Sequence, residues 1–134
     1  SMGDRSMSKE KNGEMTIKKC IALLEKYDEM RRFVARVEKM PQEGAAGVLA
    51  DIVKSAQNTK TVLDLIDGAV AEIGAAAAAE KIEYKYKAFK WHYFDGITYD
   101  EICDRLNCGQ NSPARWCREI AQIMAVKLFG VDGV

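Results

Sequence analysis

Four cysteines, Cys20, Cys103, Cys108 and Cys117, and a single histidine, His92, are the residues whose types suit metal ligation or nucleophilic attack. Zinc knuckles need ligands in closely spaced pairs, because each pair must reach one ion from one turn. Here four residues separate Cys103 from Cys108 and eight separate Cys108 from Cys117, so no knuckle spacing results and no metal is expected. There is no glycine-rich phosphate loop and no Ser/His/Asp set, and His92 sits within an aromatic run, so neither catalysis nor a cofactor is expected. A third chemistry is base stacking. Tyr84, Tyr86, Phe89, Trp91, Tyr93 and Phe94 are interleaved with Lys81, Lys85, Lys87, Lys90 and His92, and nucleic-acid surfaces combine such cations and rings. An ordinary helix that buries Phe89 and Tyr93 and wets its lysines makes the same pattern, and that reading is preferred.

The elements that must position these groups are helical. From Glu14 to Met40, the residues Ile17, Ile21, Leu24, Tyr27, Met30, Val34 and Val37 recur at spacings of three and four, which predicts one long amphipathic helix stopped by Pro41. The stretch 41–47, with two glycines and a proline, reads as a connection. Val48, Leu49, Ile52 and Val53 then mark a short helix that Asn58 and Thr59 interrupt, and a second long helix follows with Val62, Leu65, Ile66, Ala69 and Ile73 on one face. Two such stripes most simply bury each other as an antiparallel hairpin, or pack on a second copy. No segment alternates like a strand. The expected fold is all-α, a long amino-terminal helical hairpin followed by a carboxy-terminal helix-turn-helix unit of three helices. The expected divisions are a tail or cleavage-scar segment at 1–13, the hairpin at 14–80 and the helix-turn-helix at 81–134.

The 134 residues carry 20 Lys+Arg against 20 Asp+Glu, which excludes a protein that holds nucleic acid by bulk charge. The alanine-rich stretch Ile73–Ala79 is far shorter than the roughly 20 apolar residues of a membrane span, so no membrane is expected. The first eight residues lack the apolar core of a signal peptide, and the cysteines follow no disulfide framework, so a reduced, cytoplasmic setting is expected.

Local signals are densest near the carboxy terminus. Gly96 tolerates a positive φ, Thr98 with Glu101 three residues on makes a capping box, and a helix Tyr99–Leu106 follows, with Ile102, Cys103 and Leu106 inward. Asn107 can take the left-handed conformation that ends it. Asn111 or Ser112 can cap the next helix, with Pro113 in its first turn and Trp116, Ile120, Met124 and Leu128 along its apolar stripe. Two short helices around a tight polar turn define a helix-turn-helix. The run Ala88-Phe89-Lys90-Trp91-His92-Tyr93-Phe94-Asp95-Gly96-Ile97-Thr98-Tyr99-Asp100-Glu101-Ile102-Cys103-Asp104-Arg105-Leu106-Asn107-Cys108 resembles region 4 of bacterial sigma factors. With a helical hairpin before it, the chain is similar to the small sigma-like regulators of phages and prophages, the ArpU-type group among them.

That resemblance implies a recognition helix at about 112–128, with Gln110, Asn111, Ser112, Arg115 and Arg118 facing DNA and Thr98 and an exposed Tyr99 near the backbone. Gln and Asn pair with adenine, Arg pairs with guanine or phosphate, and a helix amino terminus attracts phosphate. Gly109 stands where the family places a Ser or Thr cap, and Pro113 where it has Val or Ile. With Ser112 as the favoured cap, Gln110 and Asn111 fall in the turn, and Arg115 and Arg118 become the leading contacts. The expected function is a DNA-binding transcriptional regulator whose partners are double-stranded DNA, RNA polymerase and a second copy in a dimer. The alternatives are a packaging protein resembling a small terminase subunit and a helical interaction module with a degenerate motif. Residues 1–80 hold 12 basic and 13 acidic residues and residues 81–134 hold 8 and 7, so even the binding half is barely basic.

Overall fold

The computed structural model describes residues 2–134, with side chains from Gly13 on. The expected tail, 1–13, lies outside the described side chains except at Gly13, which is buried and so close to Val134 that a Cβ there would stand 3.0 Å from the Val134 carbonyl oxygen. The fold is all-α, with α1 (Met2–Glu25), α2 (Tyr27–Glu38), α3 (Val48–Glu80), α4 (Glu83–Tyr93), α5 (Tyr99–Leu106), α6 (Ser112–Phe129) and a closing 3₁₀ turn, Gly130–Gly133.

Two boundaries differ from the periodicity. The single helix expected over 14–40 is broken at Lys26, where φ −98° and ψ 3° leave helical values. No proline or glycine causes this. Tyr27 is held from two sides, its ring edge-on to Phe94 with centroids 4.8 Å apart and its hydroxyl donating to Asp67 at 2.5 Å, and α2 departs along α3 from that anchor. The interruption expected at Asn58 and Thr59 does not occur. α3 runs unbroken through both, because the Thr59 hydroxyl donates back to the Ser55 carbonyl at 2.9 Å within the helix.

The long apolar stripe is shared between two partners. Ile17, Cys20 and Leu24 of α1 join Ile66, Ala69 and Ile73 of α3 and the carboxy-terminal residues Ala88, Phe89, Ile102, Cys117, Ile120 and Met124 in one buried core. Val34 and Val37 of α2 form a thinner seam along the first half of α3, where Ala56 and Leu63 are buried. α2 packs along α3, whereas α1 packs on α6. Glycine permits one close approach in this core: the Tyr86 ring lies where a Cβ on Gly74 would be, 2.8 Å from its Cζ.

α4, α5 and α6 pack on one another, and α6 forms the centre of the assembly. Its buried face is Pro113, Cys117, Ile120, Ala121, Met124 and Ala125. Among the described residues no helix is long and apolar enough to cross a membrane.

Candidate nucleic-acid interface

The turn into α5 is built as its residues require. Gly96 has φ 69°, Thr98 is extended at the N-cap, and its hydroxyl accepts the Glu101 backbone N–H at 3.2 Å. Glu101 does not complete the reciprocal half of a capping box. Its carboxylate accepts from Arg105 Nε at 3.3 Å, one turn on, and the Arg105 guanidinium also lies over the Trp91 ring, 5.1 Å from its centroid. At the other end of α5, Asn107 takes the left-handed conformation, φ 50° and ψ 53°, as its side chain permits.

Residues 107–111 lead into α6. The N-cap is Asn111, with Ser112 and Pro113 as the first helical positions, which corrects the expectation that Ser112 is the cap. Proline costs nothing there, because the first-turn N–H groups have no intrahelical acceptor. Asn111 makes no side-chain capping bond, so no side chain of its own closes the start of the helix. The Ser112 N–H instead turns back to the Gly109 carbonyl at 3.0 Å.

The residues singled out from the sequence fall into two groups. Gln110, Asn111 and Arg115 are exposed and contiguous at the start of α6, with Ser112 half-buried beside them. Arg118 is exposed one turn on, but it leans toward α1 and pairs with Glu14 at 3.5 Å. Thr98 is exposed at the far end of α5. Tyr99 was expected to be exposed and is half-buried. Its ring stacks on His92 with centroids 4.0 Å apart at 16°. Desolvation raises the Tyr99 and Tyr93 phenols above their ordinary range. His92 is tied down by the same cluster, with Nδ1 3.0 Å from the Ile97 carbonyl, which can only accept. Cys103, expected to be buried, is half-buried at the α5–α6 turn.

Two contacts from α4 border this surface. Lys85 of α4 pairs with Glu119 of α6 at 2.7 Å, and Tyr84 meets Trp116 edge-on with centroids 5.0 Å apart, so α4 borders the exposed side of α6. The preferred core reading of the aromatic run holds for Phe89, which is fully buried, while Lys87 and Lys90 are exposed. No group of three or more His, Cys, Asp or Glu that could hold a metal ion occurs among the described residues. Compared with protein-family models, curated proteins and solved structures, the chain matches none.

Proposed function

We propose that the chain is a DNA-binding transcriptional regulator, sigma-like and of phage or prophage origin, acting in the cytoplasm with α6 in the major groove. The observation that carries this reading is the open start of α6. Its cap makes no side-chain bond, its first turn holds no acidic residue, and Gln110, Asn111 and Arg115 are exposed around it. Oriented N–H groups and a cation at one helix end suit a phosphate, and the two amides suit base edges. In this reading the α2–α3 arm joins two copies, or contacts RNA polymerase.

A protein-binding reading of the same helix is favoured by Ile123 and Val126, which stand 43% and 41% exposed further along it. Titration of the full chain with a short mixed-sequence duplex at low salt separates the two. Binding that weakens as salt rises supports the regulator. No binding at low salt overturns it and leaves the interaction module.

A further inference from the structure

The end of α5 brings two thiols together. With Asn107 left-handed, the Cys108 N–H donates to the Cys103 carbonyl at 3.2 Å, five residues back, and the Asn107 N–H reaches the same carbonyl. A helix that ends this way sets the side chain of its fourth-last residue against that of the residue directly after the left-handed position, normally an apolar pair. Here those residues are Cys103 and Cys108. The Cys103 thiol donates to the Gly109 carbonyl at 3.5 Å and approaches the Gln110 carbonyl at 3.8 Å. The other two cysteines are sealed: Cys20 and Cys117 are fully buried, and burial pushes their thiols up to about 11 and about 12. Cys103 and Cys108 are both half-buried, and so are the pair a small reagent can reach.

We propose that Cys103 and Cys108 are a modification site, closing reversibly into an intramolecular disulfide when a low-molecular-weight disulfide such as oxidised glutathione is present. The Cys108 thiolate attacks one glutathione sulfur and expels the other as a thiolate. Cys103 then attacks Cys108 in the mixed disulfide, expelling the second glutathione. Two protein thiols are oxidised, one glutathione disulfide is reduced to two thiols, and the two protons end on them. The backbone bond between the two residues holds their main chains side by side, the arrangement a disulfide between them needs. Closure removes the S–H that the Gly109 and Gln110 carbonyls accept, directly before the Asn111 cap of α6. Coupling to duplex binding follows from this, and that step rests on the DNA reading.

Full-length protein is treated with oxidised glutathione under native conditions, blocked with an alkylating reagent and digested with trypsin. Trypsin cuts after Arg105, so the expected bond joins two otherwise separate peptides and is lost on reduction. Cys20 and Cys117 react only after denaturation, which reports that the protein stayed folded. Cys108→Ser gives no internal bond. Recovery of both wild-type thiols alkylated, of mixed disulfides alone, or of a bond to Cys20 or Cys117 overturns the proposal. Duplex titration of the two forms expects loss of affinity on oxidation in the wild type and none in Cys103→Ser. Unchanged affinity in protein carrying the mapped bond overturns the coupling. Absence of duplex binding in both forms overturns the DNA reading, and the mapped bond then stands on its own.

Discussion

Replacing Arg115 by alanine removes the one guanidinium at the start of α6 that has no carboxylate partner among the described residues. Glu119, one turn on, is taken by Lys85 at 2.7 Å. Arg118 lies about 60° round the helix from Arg115 and about 4.5 Å along it, close enough to reach the same groove. It differs in being paired: Glu14 holds it at 3.5 Å, with side chains 53% and 66% exposed. A pair this exposed is worth under about 1 kcal/mol, and that much must be given up before Arg118 reaches DNA. Arg115→Ala should therefore cost about 1–3 kcal/mol of duplex affinity, roughly 5- to 150-fold, and lower the salt slope by about one. Arg118→Ala should cost less, by up to the energy of the pair it also loses. Glu14→Gln should act in the opposite direction and tighten binding by up to about fivefold, since it frees Arg118 and removes a like charge facing phosphate. The assay is fluorescence anisotropy on one labelled duplex at about 50 and about 200 mM salt, with circular dichroism melts to show that each variant is folded. Arg115→Ala with unchanged affinity and slope, or Glu14→Gln with weaker binding, would refute the reasoning.

Three stability predictions test the frame around this surface. Thr98→Ala should cost about 1 kcal/mol in urea unfolding while Thr98→Ser keeps most of it, because only the hydroxyl at 3.2 Å from the Glu101 N–H differs; equal stability of the two variants would remove the cap from the account. A Cβ on Gly133 would stand 2.5 Å from the Ala125 carbonyl oxygen and 2.6 Å from the Val126 nitrogen, both backbone, so Gly133→Ala must lift the terminal turn and release the 2.6 Å bond from the Thr16 hydroxyl to Asp132. That should cost about 2–4 kcal/mol, whereas Gly68→Ala, with open space at its Cβ, should be neutral or gain up to about 1 kcal/mol. Because the Cys20 and Cys117 thiols are raised from the ordinary 9.0 to about 11 and about 12, their contribution is complete below pH 9 and is lost as pH rises through those values. The urea midpoint should hold up to pH 9 and fall by about pH 10.5; a flat midpoint would show that neither thiol is sealed.

What could be read from the sequence was what neighbouring residues decide. Gly96, Thr98, Glu101 and Asn107 act on backbone within a few positions, so the ends of α5 were legible from them alone. The break at Lys26 was not, because its anchors, Asp67 and Phe94, lie far along the chain and no residue at 26 advertises a stop. Asn58 and Thr59 have weak helix propensity, but a hydroxyl that bonds back to its own helix and a packed seam outweigh a preference of well under 1 kcal/mol per residue. The spacing of large apolar residues found Ile120 and Met124 on α6, yet it missed the adjoining row Cys117, Ala121 and Ala125, all fully buried. Small side chains carry little hydrophobic signal and their value lies in letting helices approach. At the interface the cap moved by one residue, from Ser112 to Asn111, because either can cap and only the folded turn, with the Ser112 N–H returned to Gly109, distinguishes them. Tyr99 was misplaced for a similar reason, since a ring partner seven residues away, His92, draws it inward.

The charge balance takes on a sharper meaning once partners are known. Of the basic residues in 81–134, Lys85, Arg105, Arg118 and Lys127 each face a carboxylate, Glu119, Glu101, Glu14 and Glu72, and Lys90 lies over the Tyr86 ring. Arg115, Lys81 and Lys87 are the cations with no such partner among the described residues. Each phosphate contact contributes a salt slope of about 0.9, so even with all three on phosphates one copy offers a slope no greater than about 3, well short of proteins that make 6–10 contacts. In the proposed DNA reading a single copy binds weakly by electrostatics alone, and useful affinity requires a second set of the same cations held at fixed spacing. In that reading the α2–α3 arm supplies the spacing. Its seam buries little beyond Val34, Val37, Ala56 and Leu63, and Met30 and Phe33 line an open groove beside it with Arg32 and Arg36. Met30 and Phe33 of α2 are half-buried and Leu65 of α3 is 58% exposed, so in that reading pairing with a second arm covers them while setting two α6 helices on one duplex.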